Sequence, residues 1–283
     1  MKLLRYGAPG QEQPGILDSD GKIRSLRGIV DDIAGAALAD ASLEMLRKLD
    51  LASLPLVEGP VRIGPCVGRT GKFIAIGLNY SEHAAETGAK LPDEPVMFMK
   101  ATSGISGPND DVVIPRDSKK TDWEVELGVI IGSRAKYVRE EDALNHVAGY
   151  CTVHDVSERE FQLERGGTWD KGKCCDTFGP IGPWLVTRDE VPDPQQLSLW
   201  LEVDGHRYQS GNTRTMIFPV RKIISYLSQF CSLLPGDIIT TGTPAGVGMG
   251  QKPTQIYLRP GQTVRLEVEG LGQQQQKTVA DNE

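Results

Sequence analysis

Short runs of strand-forming residues, each closed off by glycine, proline or aspartate, fill most of this chain after residue 72 and constrain its fold more than any other feature. "FIAIGL", "DVVIP", "WEVELGVIIG", "LSLWLEVDG", "DIITTG" and "TVRLEVEG" are rich in β-branched and aromatic residues and bounded by turn formers, so they read as strands. Few helical periods interrupt them. One starts near Pro219 and spaces Ile223, Leu227, Phe230 and Leu234 along one face before Pro235-Gly236. "EEDALNHVAG" reads as a short helix stopped by Gly149, and "SEREFQLERGG" as another stopped by Gly166-Gly167. The pattern predicts an α+β, β-rich fold of mixed sheets with peripheral helices rather than a doubly wound alternation.

Residues 1–66 read as a small N-terminal domain, with a strand at Lys2–Tyr6, a turn at Asp20-Gly21 and a helix presenting Leu43, Leu46 and Leu49. The Pro- and Gly-bearing stretch "LPLVEGPVRIGP" then marks the boundary to a catalytic domain over 67–283. No internal repeat is present, and "QQQQ" at 273–276 is the one low-complexity patch.

The net charge of -7 and the absence of a basic stripe exclude a nucleic-acid footprint. No window approaches the ~18 apolar residues of a membrane helix, and the N-terminus is too short in apolar residues for a signal peptide, so a cytoplasmic protein is expected. Five cysteines without a CxxC pair favour reduced thiols over a disulfide framework or thiolate zinc site.

Within "KTDWEVELGVIIG", strand alternation puts Glu124 and Glu126 on one face and Trp123, Val125 and Leu127 on the other. That acidic face is either the solvated side of an amphipathic strand or half of a cation site. A third carboxylate, Asp155 in "GYCTVHDVS", is either a helix cap, with Ser157 as competitor, or the other half. If the two strands are neighbours, the three carboxylates converge, and repulsion would push at least one to hold a proton unless a bound cation resolves the conflict. An all-oxygen donor set suits a hard ion such as Mg²⁺, with Mn²⁺ or Ca²⁺ as alternatives.

Three other stretches carry chemistry. In "GLNYSEHAAE", His83 and Glu86 sit three apart, a spacing that makes either a surface ion pair or an oriented general base. "WDKGKCCDTFGPIGP" offers Lys171 and Lys173, which spacing alone does not separate. "GDIITTGTPAGVGMG" is a strand entering glycines whose amides could meet an oxygen-rich ligand; it meets neither GxGxxG nor the Walker pattern.

Taken in order, "GLNYSEHAAE", "EPVMFMK", "GPNDDVVIP", "DWEVELGVIIG", "HDVSEREFQ", "GKCCDTFGPIGP", "SGNTRTMIF" and "PGDIITTGTPAGVG" resemble the fumarylacetoacetate hydrolase family over about residues 75–250. The resemblance implies layered, rolled mixed β-sheets, a divalent-metal site and a homodimer. It implies Glu124, Glu126 and Asp155 as metal ligands, His83 and Glu86 as a lid dyad, and Lys173 as the lysine of the "GK" element. Arg159, Gln162 and Thr243 take the substrate-binding places. His154, Glu158 and Glu160 depart from the family's usual Asn-Asp-Val-Ser-Ala-Arg-Asp, and His154 should face away from the metal. The expected activity is Mg²⁺-dependent cleavage of a C–C bond in a small 2,4-dioxo acid, of acylpyruvate or diketo-deoxy sugar acid type. Ureidoglycolate cleavage, oxaloacetate-type decarboxylation and diene-dioate isomerisation are alternatives on the same site, and a non-catalytic metal or ligand binder is one from another class.

Overall fold

The computed structural model describes residues 1–282 and divides them between two main sheets. The strands, in chain order, are β1 (Lys2–Tyr6), β2 (Gln13–Leu17), β3 (Ile23–Ser25), β4 (Phe73–Gly77), β5 (Val96–Lys100), β6 (Ile105–Ser106), β7 (Val112–Ile114) and β8 (Thr121–Asp122). They continue as β9 (Val125–Ile131), β10 (Val147–His154), β11 (Ser157–Glu158), β12 (Gly179–Thr187), β13 (Ser198–Val203), β14 (His206–Asn212), β15 (Ile238–Thr240), β16 (Thr263–Val268) and β17 (Gly272–Ala280). The α-helices are α1 (Asp40–Arg47), α2 (Ser81–Thr87), α3 (Arg159–Leu163), α4 (Asp170–Lys173) and α5 (Val220–Phe230).

The larger sheet runs β3-β2-β1-β12-β10-β9-β15-β4-β5, with β6 pairing β12 to one side; the smaller runs β14-β13-β16-β17-β7. Residues 1–66, expected as a small N-terminal domain, supply the β3-β2-β1 end of the large sheet, and β1 pairs directly with β12. Their Leu3, Ile16, Leu26 and Leu38 share one apolar cluster with Phe73, Ile130, Val153 and Ile238.

At the middle of the large sheet, β9 is buried at every position. Its odd-numbered side chains, Val125, Leu127, Val129 and Ile131, pack with Leu199, Leu201, Val264 and Leu266 of the smaller sheet. Its even-numbered face carries Ile130 into the cluster beneath the N-terminal strands. Each aliphatic side chain so buried contributes about 1.5–3 kcal/mol. The alternation is therefore as the sequence predicts, but the acidic face is not solvated: Glu124 and Glu126 are 4% and 1% exposed.

Three local expectations change. The segment Glu140–His146 is a 3-10 turn, and Gly149, rather than ending a helix, lies inside β10 at a bulge where a Cβ would meet the Val186 carbonyl oxygen at 2.2 Å. Helix α5 stops at Phe230 instead of running to Leu234; it buries Val220, Ile223, Ile224 and Leu227 while Phe230 and Leu234 are exposed. The glutamine run is part of β17, and Gln274 and Gln276 are wholly buried, donating to the carbonyls of Thr152 and Pro108.

Candidate active site

Strand pairing brings the separated carboxylates together. β9 and β10 are antiparallel neighbours with Val153 opposite Glu126 and His154 opposite Val125, so Asp155, one step beyond β10, lands beside Glu124, and its amide donates to the Glu124 carbonyl oxygen at 2.9 Å. Carboxylate oxygens of Glu124, Glu126 and Asp155 lie within 4.8 Å of one another, all buried. Neither Asp155 nor Ser157 caps a helix; Glu158 caps α3 through the Glu160 amide.

Three buried cations surround the cluster. The Lys173 ammonium, at the end of α4, touches Glu124 Oε2 and Asp155 Oδ2 at 2.7 Å each. Lys100, at the end of β5, donates to Asp155 Oδ1 at 2.5 Å and to the carbonyls of Val156 and Lys173. Arg159, opening α3, donates through Nε to Asp122 Oδ2 at 2.8 Å and through Nη1 to Gln162 Oε1 at 3.0 Å, while Nη2 pairs with Glu124 Oε1 at 2.7 Å. Of the two lysines that spacing left equivalent, Lys173 is buried and Lys171 is turned to the Arg165 carbonyl on the surface.

These neighbours split the acids. Burial alone would raise the Glu124 carboxyl, but Lys173 and Arg159 outweigh it and hold it well below the usual range. Glu126 is held instead by the Thr240 hydroxyl and the Gly242 amide; burial, with Asp155 and Glu124 close by, pushes its carboxyl well above the usual range. Without an ion, a proton on Glu126 thus balances four carboxyl groups, counting Asp122, against three cations. A divalent ion would take the place of that proton, and the oxygen-only donors of Glu124, Glu126 and Asp155 fit one.

The dyad faces the same space. His83 and Glu86 lie one turn apart on α2, with Nδ1 3.4 Å from Glu86 Oε2. The Gly246 amide donates to both oxygens of Glu86 at 2.9 and 3.1 Å, which fixes the carboxylate behind the ring. With Nδ1 turned to Glu86, Nε2 is the ring nitrogen left for the cavity that His83 lines.

That cavity, about 230 Å³, is lined by His83, Glu124, Glu126, Asp155, Lys173 and Gln162, among others. Arg159 and Thr243 reach it as well, but their polar atoms are engaged: the Thr243 hydroxyl donates to the Val125 carbonyl at 2.9 Å and accepts from Gln209. Because arginine only donates, Gln162 must turn its oxygen to Arg159. Its amide nitrogen is then the free donor.

Two residues that sequence reasoning passed over complete the site. Lys100 closes "EPVMFMK" like any strand-end lysine, and Asp122 precedes a tryptophan. Asp122 also accepts from the Gly248 and Met249 amides at 2.6 and 3.0 Å, tying Arg159 to the glycine loop. The sequence-level signal was only that each stands inside a motif of the resemblance; their partners are distant in the chain.

His154 points away from the carboxylates, as alternation requires, to Gln276 of β17. Gln276 spends its amide hydrogens on Pro108 and Gln274, so its oxygen accepts from His154 Nδ1 at 3.1 Å, and Nε2 is buried without a partner among the described residues. Burial, with Lys100 and Lys173 nearby, pushes this histidine down to about 3. Below the unfolded value of about 6.5 the unfolded chain takes a proton that the native one refuses, so stability is lost as pH falls toward 3, by up to about 1.4 kcal/mol per unit. His154→Asn, which keeps a donor for Gln276, is expected to flatten the urea-unfolding free energy between pH 6.5 and 4. An unchanged slope would assign the acid sensitivity to other groups.

Comparison with known proteins agrees with this architecture. The family described as Fumarylacetoacetate (FAA) hydrolase C-terminal matches residues 72–279. A Burkholderia multivorans protein named "Putative hydrolase" is 68% identical over 280 residues, covering 99% of both chains. Among solved structures, the fumarylacetoacetate hydrolase of Exiguobacterium antarcticum superposes with a TM-score of 0.86 at 33% identity, covering 99% of this chain and 100% of that one. The maleylpyruvate hydrolase of Sphingobium sp. SYK-6, solved with manganese(II) and pyruvate, gives 0.82 at 28% identity over 100% of both chains. No helix among the described residues is long and apolar enough to cross a membrane. With sheet order, buried acidic cluster and sequence in accord, the chain belongs to the fumarylacetoacetate hydrolase family.

Proposed function

We propose that this protein is a Mg²⁺-dependent hydrolase that cleaves the C3–C4 bond of a small 2,4-dioxo acid, releasing pyruvate and a second carboxylic acid. The observation that carries the reading is that the Glu124/Glu126/Asp155 cluster and His83, backed by Glu86, line one cavity. Manganese and pyruvate in the Sphingobium relative support the ion class and the product. Glu124, Glu126 and Asp155 would hold the ion, which supplies Lewis acidity toward the 2-oxo acid when bound.

The chain's own groups then divide the work. His83, oriented through Nδ1 by Glu86, takes a proton from water at Nε2, and the resulting hydroxide adds to the C4 carbonyl. The Gln162 amide and the Lys173 ammonium face the oxygen on which charge develops. When the C3–C4 bond breaks, its electron pair stays with C3, and protonation there by the imidazolium gives pyruvate. Arg159 holds Glu124 and Gln162 in place throughout rather than spending its own donors on substrate.

The test is product detection by mass spectrometry with 2,4-dioxo acids, ureidoglycolate and oxaloacetate, with and without exhaustive chelation. Pyruvate is expected from 2,4-dioxo acids only, falling by more than about 100-fold on chelation and returning with Mg²⁺ or Mn²⁺. Undiminished turnover without metal, or urea from ureidoglycolate with no pyruvate from any dioxo acid, would overturn the proposal.

A further inference from the structure

The cavity has two unlike walls. Every charged side chain that reaches it belongs to the acidic cluster, its cations or the dyad, whereas Ile76, Leu78, Phe98, Leu163, Trp169 and Met249 supply its large apolar side chains, with Thr87, Gln162 and Thr243 as the uncharged polar ones. Phe98 and Trp169 meet edge to face with ring centroids 5.4 Å apart, and the Lys173 ammonium stands 5.3 Å from the Phe98 centroid. The aromatic pair therefore begins where the charged groups end. Its seat is specific: a Cβ on residue 77 would come within 2.2 Å of the Trp169 ring, so only glycine at the end of β4 admits the indole there.

Neither cation on the cavity surface is free for a distant anion. Lys173 is committed to Glu124 and Asp155, and Arg159 to Asp122 and Glu124. A carboxylate carried to the apolar wall would lose hydration with no uncommitted cation to compensate it. A methyl group there would be buried against aromatic carbon.

Resting on the reaction proposed above, the geometry points to a substrate whose acyl arm is uncharged and ends in a methyl or other apolar group, with Trp169 and Phe98 as the residues that select it. Dioxo acids bearing a second, terminal carboxylate are poor substrates, although their reacting ends are identical.

A matched pair tests this: 2,4-dioxoheptanoate and 2,4-dioxoheptanedioate, which differ only in the terminal carboxylate, each assayed for pyruvate release with Mg²⁺. The monoacid is expected to have the higher kcat/KM by about 100-fold or more. Leu163 lines the cavity yet is 46% exposed, so Leu163→Arg can add a cation at the rim without burying it in the core. That variant is expected to narrow the ratio by about 10-fold, and Leu163→Ala is expected not to. Equal efficiency on the two acids, or a ratio that Leu163→Arg leaves unmoved, overturns the acyl-arm assignment while the reaction stands. No pyruvate from either acid overturns the reaction itself and this assignment with it.

Discussion

His83→Ala is expected to lower kcat by about 10²–10⁴-fold on a 2,4-dioxo acid while metal affinity, measured by titration calorimetry with Mn²⁺, changes by less than about twofold. The split follows from the geometry. His83 lines the cavity and is turned by Glu86, but it is not among the carboxylates that converge on the ion site. Removing it deletes a proton acceptor and leaves the cation donors intact. Glu86→Gln should cost less, about 10-fold, because the ring persists and the Gly246 amide still has an oxygen to bond. Retention of most of kcat in His83→Ala would remove the base from the mechanism, and a parallel loss of metal affinity would recast His83 as a structural support for the cluster.

The largest stability effect should come from Arg159→Met. The guanidinium is 3% exposed and joins Asp122, Glu124 and Gln162, so its removal leaves Asp122 with main-chain amides but no cation, Glu124 with Lys173 in place of two cations, and the Gln162 amide oxygen without its donor. Breaking a buried pair from one side costs about 3–5 kcal/mol, since the abandoned charge has no solvent to return to. Arg139→Met, which breaks an ion pair with Asp142 at the surface, should cost no more than about 1 kcal/mol and serves as the control. Pairing Arg159→Met with Asp122→Asn should recover part of the loss, because one of the two acids that lose the guanidinium is then neutral. Lysine at 159 keeps the charge but lacks the fork that reaches three partners at once, so it should fall between arginine and methionine. Urea denaturation of the four variants decides the matter; a loss for Arg159→Met no greater than the control's would mean the cluster tolerates an unpaired acid.

How much of this could be read in the residues depended on whether the relevant partner was near in sequence. Alternation in "WEVELGVIIG" put Glu124 and Glu126 on a common face because the period of a strand is local geometry. What alternation could not supply was the covering layer. A central strand sandwiched between two apolar clusters looks amphipathic in isolation, and the polar side reads as solvent-facing until β10, β15 and α4 are placed beside it. His83 and Glu86 were legible for the same local reason, being one helical turn apart. Lys100 and Asp122 were not: Lys100 acquires its meaning from Asp155 and Lys173, 55 and 73 residues on, and Asp122 from the amides of residues 248 and 249. Gly149 misled because a glycine that ends a helix and one that yields to a neighbouring strand have the same letter. Only the position of Val186 separates them.

The run from Gly242 to Met249 touches the acid that faces the ion site, the acid behind the histidine and the acid that holds Arg159, through the amides of residues 242, 246, 248 and 249. One short length of main chain is thus shared infrastructure for functions that textual motifs would assign to different parts of the protein. A single inserted residue there would throw all of them out of step together. New specificities on this scaffold are therefore best sought by varying Leu163 and Trp169 across the cavity, where side chains can be exchanged without retuning the backbone.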